Sequence, residues 1–180
     1  MNFSILSLRR LLAEMGKSKT QSFLSYFICS KEPDAESYLR NSSIDFEISG
    51  ISRTYLALEK DNSGKIIIKG YFTLAVKCFK LDEKRSEKIP ENVRPLLNEN
   101  KGIAQAYLLG QLAKTDNVSS GFGKEMIEYA LKIFEKSYEM IGCRVVRLDC
   151  KDALRSYYED CGFTHIGKLD NELNQMIMVL

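Results

Sequence analysis

Two hydrophobic rhythms alternate along this chain and place most of its elements. Arg53 to Glu59 (RTYLALE) reads as a strand, and Ile66 to Val76 (IIIKGYFTLAV), dense in β-branched and aromatic residues, predicts a second. Asp61-Asn-Ser-Gly64 between them predicts a turn of the hairpin kind. Further on, Ile127, Ala130, Leu131, Phe134, Tyr138 and Ile141 recur at steps of three and four, which predicts one buried helix face closed by Gly142. Val145 to Asp149 (VVRLD) reads as another strand. Asp152 stands where a helix cap belongs, with Ala153, Leu154, Tyr157, Tyr158 and Cys161 on the apolar side of the helix that follows. Gly162 closes that helix, and Phe163 opens an extended run.

The N-terminal part is more broken. Leu6, Leu8, Leu11 and Leu12 around Arg9-Arg10 predict a short strand or turn leading into a helix. Phe23, Leu24, Phe27 and Ile28 share a helical face, Pro33 interrupts it, and residues 34–41 restart a helix. Residues 80–102 depart from both rhythms: charged side chains crowd the segment, then Pro90 and Pro95 follow. A connection this long is unusual inside a compact domain. It reads as a partly helical flap or as a solvated surface link.

The candidate chemistry sits at Leu108 to Ala130 (LLGQLAKTDNVSSGFGKEMIEYA), an apolar strand, a polar loop and a helix start. Ser119, Ser120, Gly121, Phe122, Gly123 and Lys124 would bring backbone N–H groups to one point, where the helix end adds positive partial charge. That is an anion site built from main chain. A Walker A loop is excluded, because Glu125 follows Gly123-Lys124 and Val118 occupies the first glycine position. A dinucleotide fingerprint is excluded too, since Met126 takes the place of its third glycine.

The loop, with Tyr158-Glu-Asp-Cys-Gly-Phe163 further on, resembles the GNAT acyltransferases. Their pyrophosphate loop reads Gln/Arg-x-x-Gly-x-Gly/Ala, and a Tyr-Glu-x-x-Gly-Phe signature lies near their C-terminus. Gly121 and Gly123 match the loop, while Val118 stands where Gln or Arg is usual. Leu108-Leu-Gly-Gln-Leu-Ala113 is most similar to the branch that includes toxin acetyltransferases, where Leu-Gly-Arg-Leu-Ala is common; Gln111 replaces that arginine. The likeness runs from about residue 103 to 180, and the paired strands before it fit the same scheme.

The resemblance implies an α/β (α+β) fold: a mixed, mostly antiparallel central sheet with helices on both faces, in a single domain spanning 1–180. It implies acetyl-CoA as cofactor, its pantetheine arm pairing with the backbone of Gln111, Leu112 and Ala113, and its pyrophosphate held by residues 119–124. It implies N-acetyl transfer to a primary amine by direct attack on the thioester, the amine belonging to a small molecule or a macromolecule. Tyr158 matches the family's tyrosine and is the implied acid; a tyrosine phenol, with an ordinary pKa of about 10, can donate a proton at neutral pH. Tyr157, its neighbour, competes for the role. Glu47, Glu59, Asp116 and Asp149 are the carboxylates in plausible elements for a base, each also readable as a solvated surface charge. Two alternatives accompany this reading: toxin-like acetylation of aminoacyl-tRNA, and an idle acyl-CoA-binding or regulatory domain. A homodimer would fit the family.

Composition narrows the remaining choices. A net charge of +2, with 28% charged residues, is not that of a strongly basic nucleic-acid binder, although Lys17, Lys19, Lys31, Lys77, Lys80, Lys84, Arg85 and Lys88 could form a local patch for tRNA. No apolar run reaches membrane-spanning length, and the N-terminus lacks the order of a signal peptide, so the cytoplasm is the expected compartment. Cys29, Cys78, Cys143, Cys150 and Cys161 are odd in number and lack a Cys-x-x-Cys, which suits reduced thiols. Cys143, Cys150, Cys161 and His165 offer zinc ligand types without the paired spacing of a zinc knuckle, and no metal is expected.

Overall fold

The structure, a computed structural model, describes residues 3–80, 91, 103–169 and 172–180. The expected flap at 80–102 lies outside the described residues, apart from Lys80 and Glu91. The strands are β1 (Ser4–Ser7), β2 (Arg53–Lys60), β3 (Ile66–Lys80), β4 (Ile103–Lys114), β5 (Val145–Cys150), β6 (Thr164–Lys168) and β7 (Asn174–Val179). They form a seven-stranded sheet in the order β1-β2-β3-β4-β5-β7-β6. The β1–β2, β2–β3, β5–β7 and β6–β7 pairs are antiparallel, whereas β4 and β5 are parallel. The helices are α1 (Leu8–Leu24), α2 (Pro33–Ser37), α3 (Ser43–Ile48), α4 (Phe122–Ile141) and α5 (Arg155–Asp160). This is the mixed α+β sheet expected from the sequence.

The chain divides into two compact units, residues 1–75 with 111–128, and residues 76–110 with 129–180. In the first, β1 leads directly into α1, and the Ser7 hydroxyl accepts from the Arg10 amide to cap it. Leu8, Leu11, Leu24, Phe27, Leu39, Ile44, Leu56, Ile68 and Tyr71 build its core. The first helical face ends sooner than expected. α1 stops at Leu24, so Phe27 is buried from the connection that follows, and Ile28 is exposed. Arg40 holds that connection: its Nε donates to the Phe27 carbonyl at 2.8 Å and its guanidinium pairs with Glu36 at 2.7 Å. The restarted helix runs further than expected, through a π-helical turn at Tyr38–Ser42 and on through α3. That turn leaves the Arg40 carbonyl to a side-chain donor, Gln21 Nε2.

In the second unit, Tyr107 stacks on Phe134 at 5.0 Å and its hydroxyl donates to the Gly142 carbonyl at 2.6 Å. Ala104, Ala106, Val145, Ile166 and Ile177 form a further cluster. The expected face of α4 is buried at Ile127, Ala130 and Phe134, but Ile141 is 76% exposed, so the stripe surfaces near the helix end. Asp152 is not a helix cap. Its carboxylate accepts from Asn174 at 2.7 Å and Lys168 at 3.0 Å, and α5 starts through a 3-10 turn at Asp152–Leu154 with no side-chain cap.

Candidate active site

The β4–β5 ladder consists of two pairs, Tyr107 with Val146 and Leu108 with Arg147, and β4 continues to Lys114. Where the backbone groups of that continuation point follows from two bonds. The Gln111 amide donates to Thr73 Oγ1 at 2.7 Å, and the Thr115 amide donates to the Lys69 carbonyl at 2.8 Å. Both partners belong to β3. Amides alternate sides along a strand, so those of Gly110, Leu112 and Lys114 face away from β3. Of Gln111, Leu112 and Ala113, Leu112 alone turns its N–H and C=O to that side.

The polar loop after β4 is anchored before the glycines. Asp116 accepts from the Ser30 hydroxyl at 2.7 Å and the Ser30 amide at 3.3 Å. Those bonds hold its carboxyl below the usual carboxylate range, with the charge of nearby Lys31 adding to the effect. Ser119, Ser120 and Gly121 are exposed. Gly121 has φ +88°, a conformation side chains resist, and this turns the chain into α4. Phe122 is the first residue of α4 and is buried, which fixes the helix start. The Phe122 amide reaches back to the Ser119 carbonyl at 3.4 Å, and the Glu125 amide to the Gly121 carbonyl at 3.1 Å. Among the described residues no backbone carbonyl accepts from Gly121, Gly123 or Lys124. These are donors left for an anion at the positive end of a 20-residue helix.

The tyrosine turn belongs to the second unit. Phe163 N–H donates to the Tyr158 carbonyl at 3.0 Å and Gly162 N–H to the Glu159 carbonyl at 2.9 Å, the two bonds of a Schellman cap with Gly162 at φ +92°. Tyr158 is 8% exposed, its ring edge-on to Phe163 at 6.0 Å and to Tyr157 at 5.2 Å. Burial, reinforced by Cys161, pushes the Tyr157 phenol up to about 12.

The four candidate carboxylates are all engaged. Asp149 receives both arms of the Arg147 fork, at 2.8 and 3.0 Å, and the remaining Arg147 nitrogen donates to the Cys78 carbonyl at 2.9 Å. Glu47 is not a surface charge: its side chain is 2% exposed and accepts from Arg53 at 3.0 Å and the Thr54 amide at 2.9 Å. Glu59 lies 3.5 Å from Lys69, and Asp116 is held by Ser30. Among the described residues no cluster of three metal-ligating side chains occurs, and none of the five cysteines forms a disulfide.

No protein-family model matches the chain, and no curated protein matches it by sequence. Solved structures do match. A tyrosine-to-phenylalanine mutant of KacT aligns with a TM-score of 0.71 and 17% identity, over 99% of this chain and 95% of that one. AtaT complexed with acetyl-methionyl-tRNAfMet gives 0.70 and 17%, over 98% and 94%. The chain has the fold of the AtaT and KacT toxins. AtaTR bound with AcCoA, at TM-score 0.69 and 17% identity over 99% and 93%, repeats the match. At this identity the likeness is one of fold, and it agrees with the GNAT motifs read from the sequence.

Within this AtaT-like fold, sequence reasoning missed the supports of the loop: Thr73 on the Gln111 amide, and Ser30 on Asp116. Neither has a local signal, because Ser30 lies far along the chain from Asp116 and Thr73 is an ordinary strand residue.

Proposed function

We propose that this protein is an acyl-CoA-dependent N-acetyltransferase that moves an acetyl group from acetyl-CoA to a primary amine. The observation that carries the reading is that, among the described residues, the amides of Gly121, Gly123 and Lys124 meet no backbone carbonyl, in the loop and helix start that follow a strand whose Leu112 backbone faces away from β3. When bound, acetyl-CoA supplies the thioester that the amine attacks. Leu112 would pair with its strand-like pantetheine arm, flanked by Gln111 and Ala113. The amides of Ser120, Gly121, Gly123 and Lys124 would hold its pyrophosphate, with the hydroxyls of Ser119 and Ser120 and the charge of Lys124 as additional donors. Val118 withdraws the side-chain contact that Gln or Arg gives elsewhere in the family, but main-chain donors do not depend on it.

Tyr158 would donate its phenolic proton to the departing thiolate. That AtaT and KacT have both been solved as tyrosine-to-phenylalanine mutants is in keeping with a tyrosine of consequence in this fold. Burial pushes the Tyr157 phenol up to about 12, which makes it a weak acid.

The acceptor class favoured by the comparisons is the amine of an aminoacyl-tRNA, because AtaT, matched over nearly the whole chain, was solved with acetyl-methionyl-tRNAfMet. AtaT was also solved with the C-terminus of the antitoxin AtaR, so an antitoxin is the protein partner to look for. The test has two parts. CoA should raise the melting temperature of the purified protein, as a ligand selective for the native state must. Purified protein with acetyl-CoA should then acetylate aminoacyl-tRNA, and its expression should arrest growth. CoA binding with no transfer to aminoacyl-tRNA or to a panel of amines would leave only the idle binding domain.

A further inference from the structure

We propose that the β-bulge at Lys69–Gly70 is the seat of the cofactor loop, and that Gly70 is a positioning residue for acyl-CoA binding. This rests on the reading of that loop as an acyl-CoA site. On β2 and β3, Ala57 lies opposite Gly70 but Leu58 lies opposite Ile68, so Lys69 is an extra residue on β3. Gly70 interrupts a run otherwise rich in Ile, Tyr and Phe, where a glycine weakens a strand and marks a close backbone approach. Its size, not its backbone freedom, is what the site uses.

A Cβ at Gly70 would lie 2.8 Å from the Ala113 carbonyl oxygen, 2.8 Å from Met126 Sδ and 2.9 Å from Phe122 Cε1. Three parts of the loop's frame therefore converge on the space left by one missing methyl. Ala113 follows Leu112 on β4. Phe122 opens α4 and stands between Gly121 and Gly123. Met126 packs one turn further on. Met126 and Phe122 are both buried, so neither ring nor thioether has free space to swing into, and the Ala113 oxygen is main chain. A methyl at residue 70 must displace the end of β4 or the first turn of α4, and those are the two segments whose amides would grip the cofactor.

Lys69 holds the intervening residues. Its carbonyl accepts from the Thr115 amide at 2.8 Å, and its Nζ donates to the Asn117 carbonyl at 3.4 Å. The bulge thus fixes the loop at both ends and in the middle, from residues next to each other on β3.

The test is calorimetric titration of CoA into wild type, Gly70→Ala and Lys69→Met, with steady-state kinetics in acetyl-CoA. Gly70→Ala should weaken CoA binding about tenfold, which corresponds to ~1.4 kcal/mol, and raise KM for acetyl-CoA in step while kcat at saturation stays within about twofold. Lys69→Met, which removes the Asn117 bond together with the Glu59 ion pair, should weaken binding about two- to threefold. A merely structural role would lower the melting temperature and leave the KM-to-kcat split untouched. Folded Gly70→Ala with unchanged CoA affinity would overturn the proposal. If Gly70→Ala does not fold, Lys69→Met decides: unchanged affinity overturns the proposal, reduced affinity supports it. Wild type that fails to bind CoA would sink the functional reading together with this inference, whereas binding equal in all three proteins would sink this inference alone.

Discussion

Two turns in this protein share a recipe and do opposite work. Gly121 and Gly162 both lie near φ +90°, at +88° and +92°, and both sit at the end of a helix. At Gly121 the chain enters α4, and among the described residues the amides of Gly121, Gly123 and Lys124 meet no backbone carbonyl, beside exposed Ser119 and Ser120. At Gly162 the chain leaves α5, and the amides of Cys161, Gly162 and Phe163 all close back onto the helix. The first turn leaves backbone donors without a carbonyl partner among the described residues. The second satisfies its backbone and thereby fixes one side chain, Tyr158, in an aromatic setting. Glycine at a helix end is thus no evidence of a ligand by itself. What distinguishes a binding turn is which end of the helix it serves, since N-termini leave donors over and C-termini leave acceptors.

That contrast can be broken most sharply at Tyr158. Tyr158→Phe should lower kcat about a hundredfold, the lower range for acid–base assistance, and leave CoA affinity unchanged. Tyr157→Phe should change kcat by no more than about threefold, because its phenol is pushed up to about 12. Equal losses in the two variants, measured as single-turnover acetyl transfer, would move the donor away from Tyr158.

The glycines come next. Gly162→Ala should destabilise the fold by about 1–2 kcal/mol, from the left-handed backbone alone, and its new methyl would also meet Met178 Cε at 3.2 Å. Denaturant midpoints should register it, with CoA affinity per folded molecule unaltered. Gly121→Ala carries similar backbone strain, but its methyl would meet nothing within 4 Å. The strain there should appear in the ligand: CoA binding should weaken about fivefold as the turn relaxes and its amides rotate, with a smaller shift in the denaturant midpoint than at Gly162. If both variants lost stability alike and neither lost affinity, the two turns would be equivalent and the anion site would be elsewhere.

The smallest expected effect is a pH dependence at the loop anchor. The Asp116 carboxyl is held low by Ser30, so its folded value lies below its unfolded one. A group depressed in this way contributes stability above the unfolded pKa and loses it as pH falls through the folded pKa. The melting-temperature difference between wild type and Asp116→Ala should therefore be constant near neutrality and shrink below about pH 4. A difference that instead closed on the alkaline side would assign it to another group.

Much of the fold was legible because it is local. The apolar extended runs became β2, β3 and β5, the three-and-four spacing became α4, and the glycine loop fell between β4 and α4 as its residue types require. The N-terminal half was read less well. α1 ends at Leu24 although Phe27 and Ile28 continue the apolar pattern, because Arg40 and Glu36 hold the following connection through bonds that no local pattern announces.

The sequence alone determined where the glycine loop meets a helix start and that Gly162 closes a helix, since turn chemistry and capping depend on neighbours within a few residues. Tertiary structure decided everything that depends on pairing across the chain. It committed Asp149 to Arg147, buried Glu47 against Arg53, drew Asp152 to Asn174 and Lys168, and turned Leu112 rather than Gln111 away from β3. A carboxylate's role and an amide's direction are fixed by partners distant in sequence, and the chain brings those partners together only on folding.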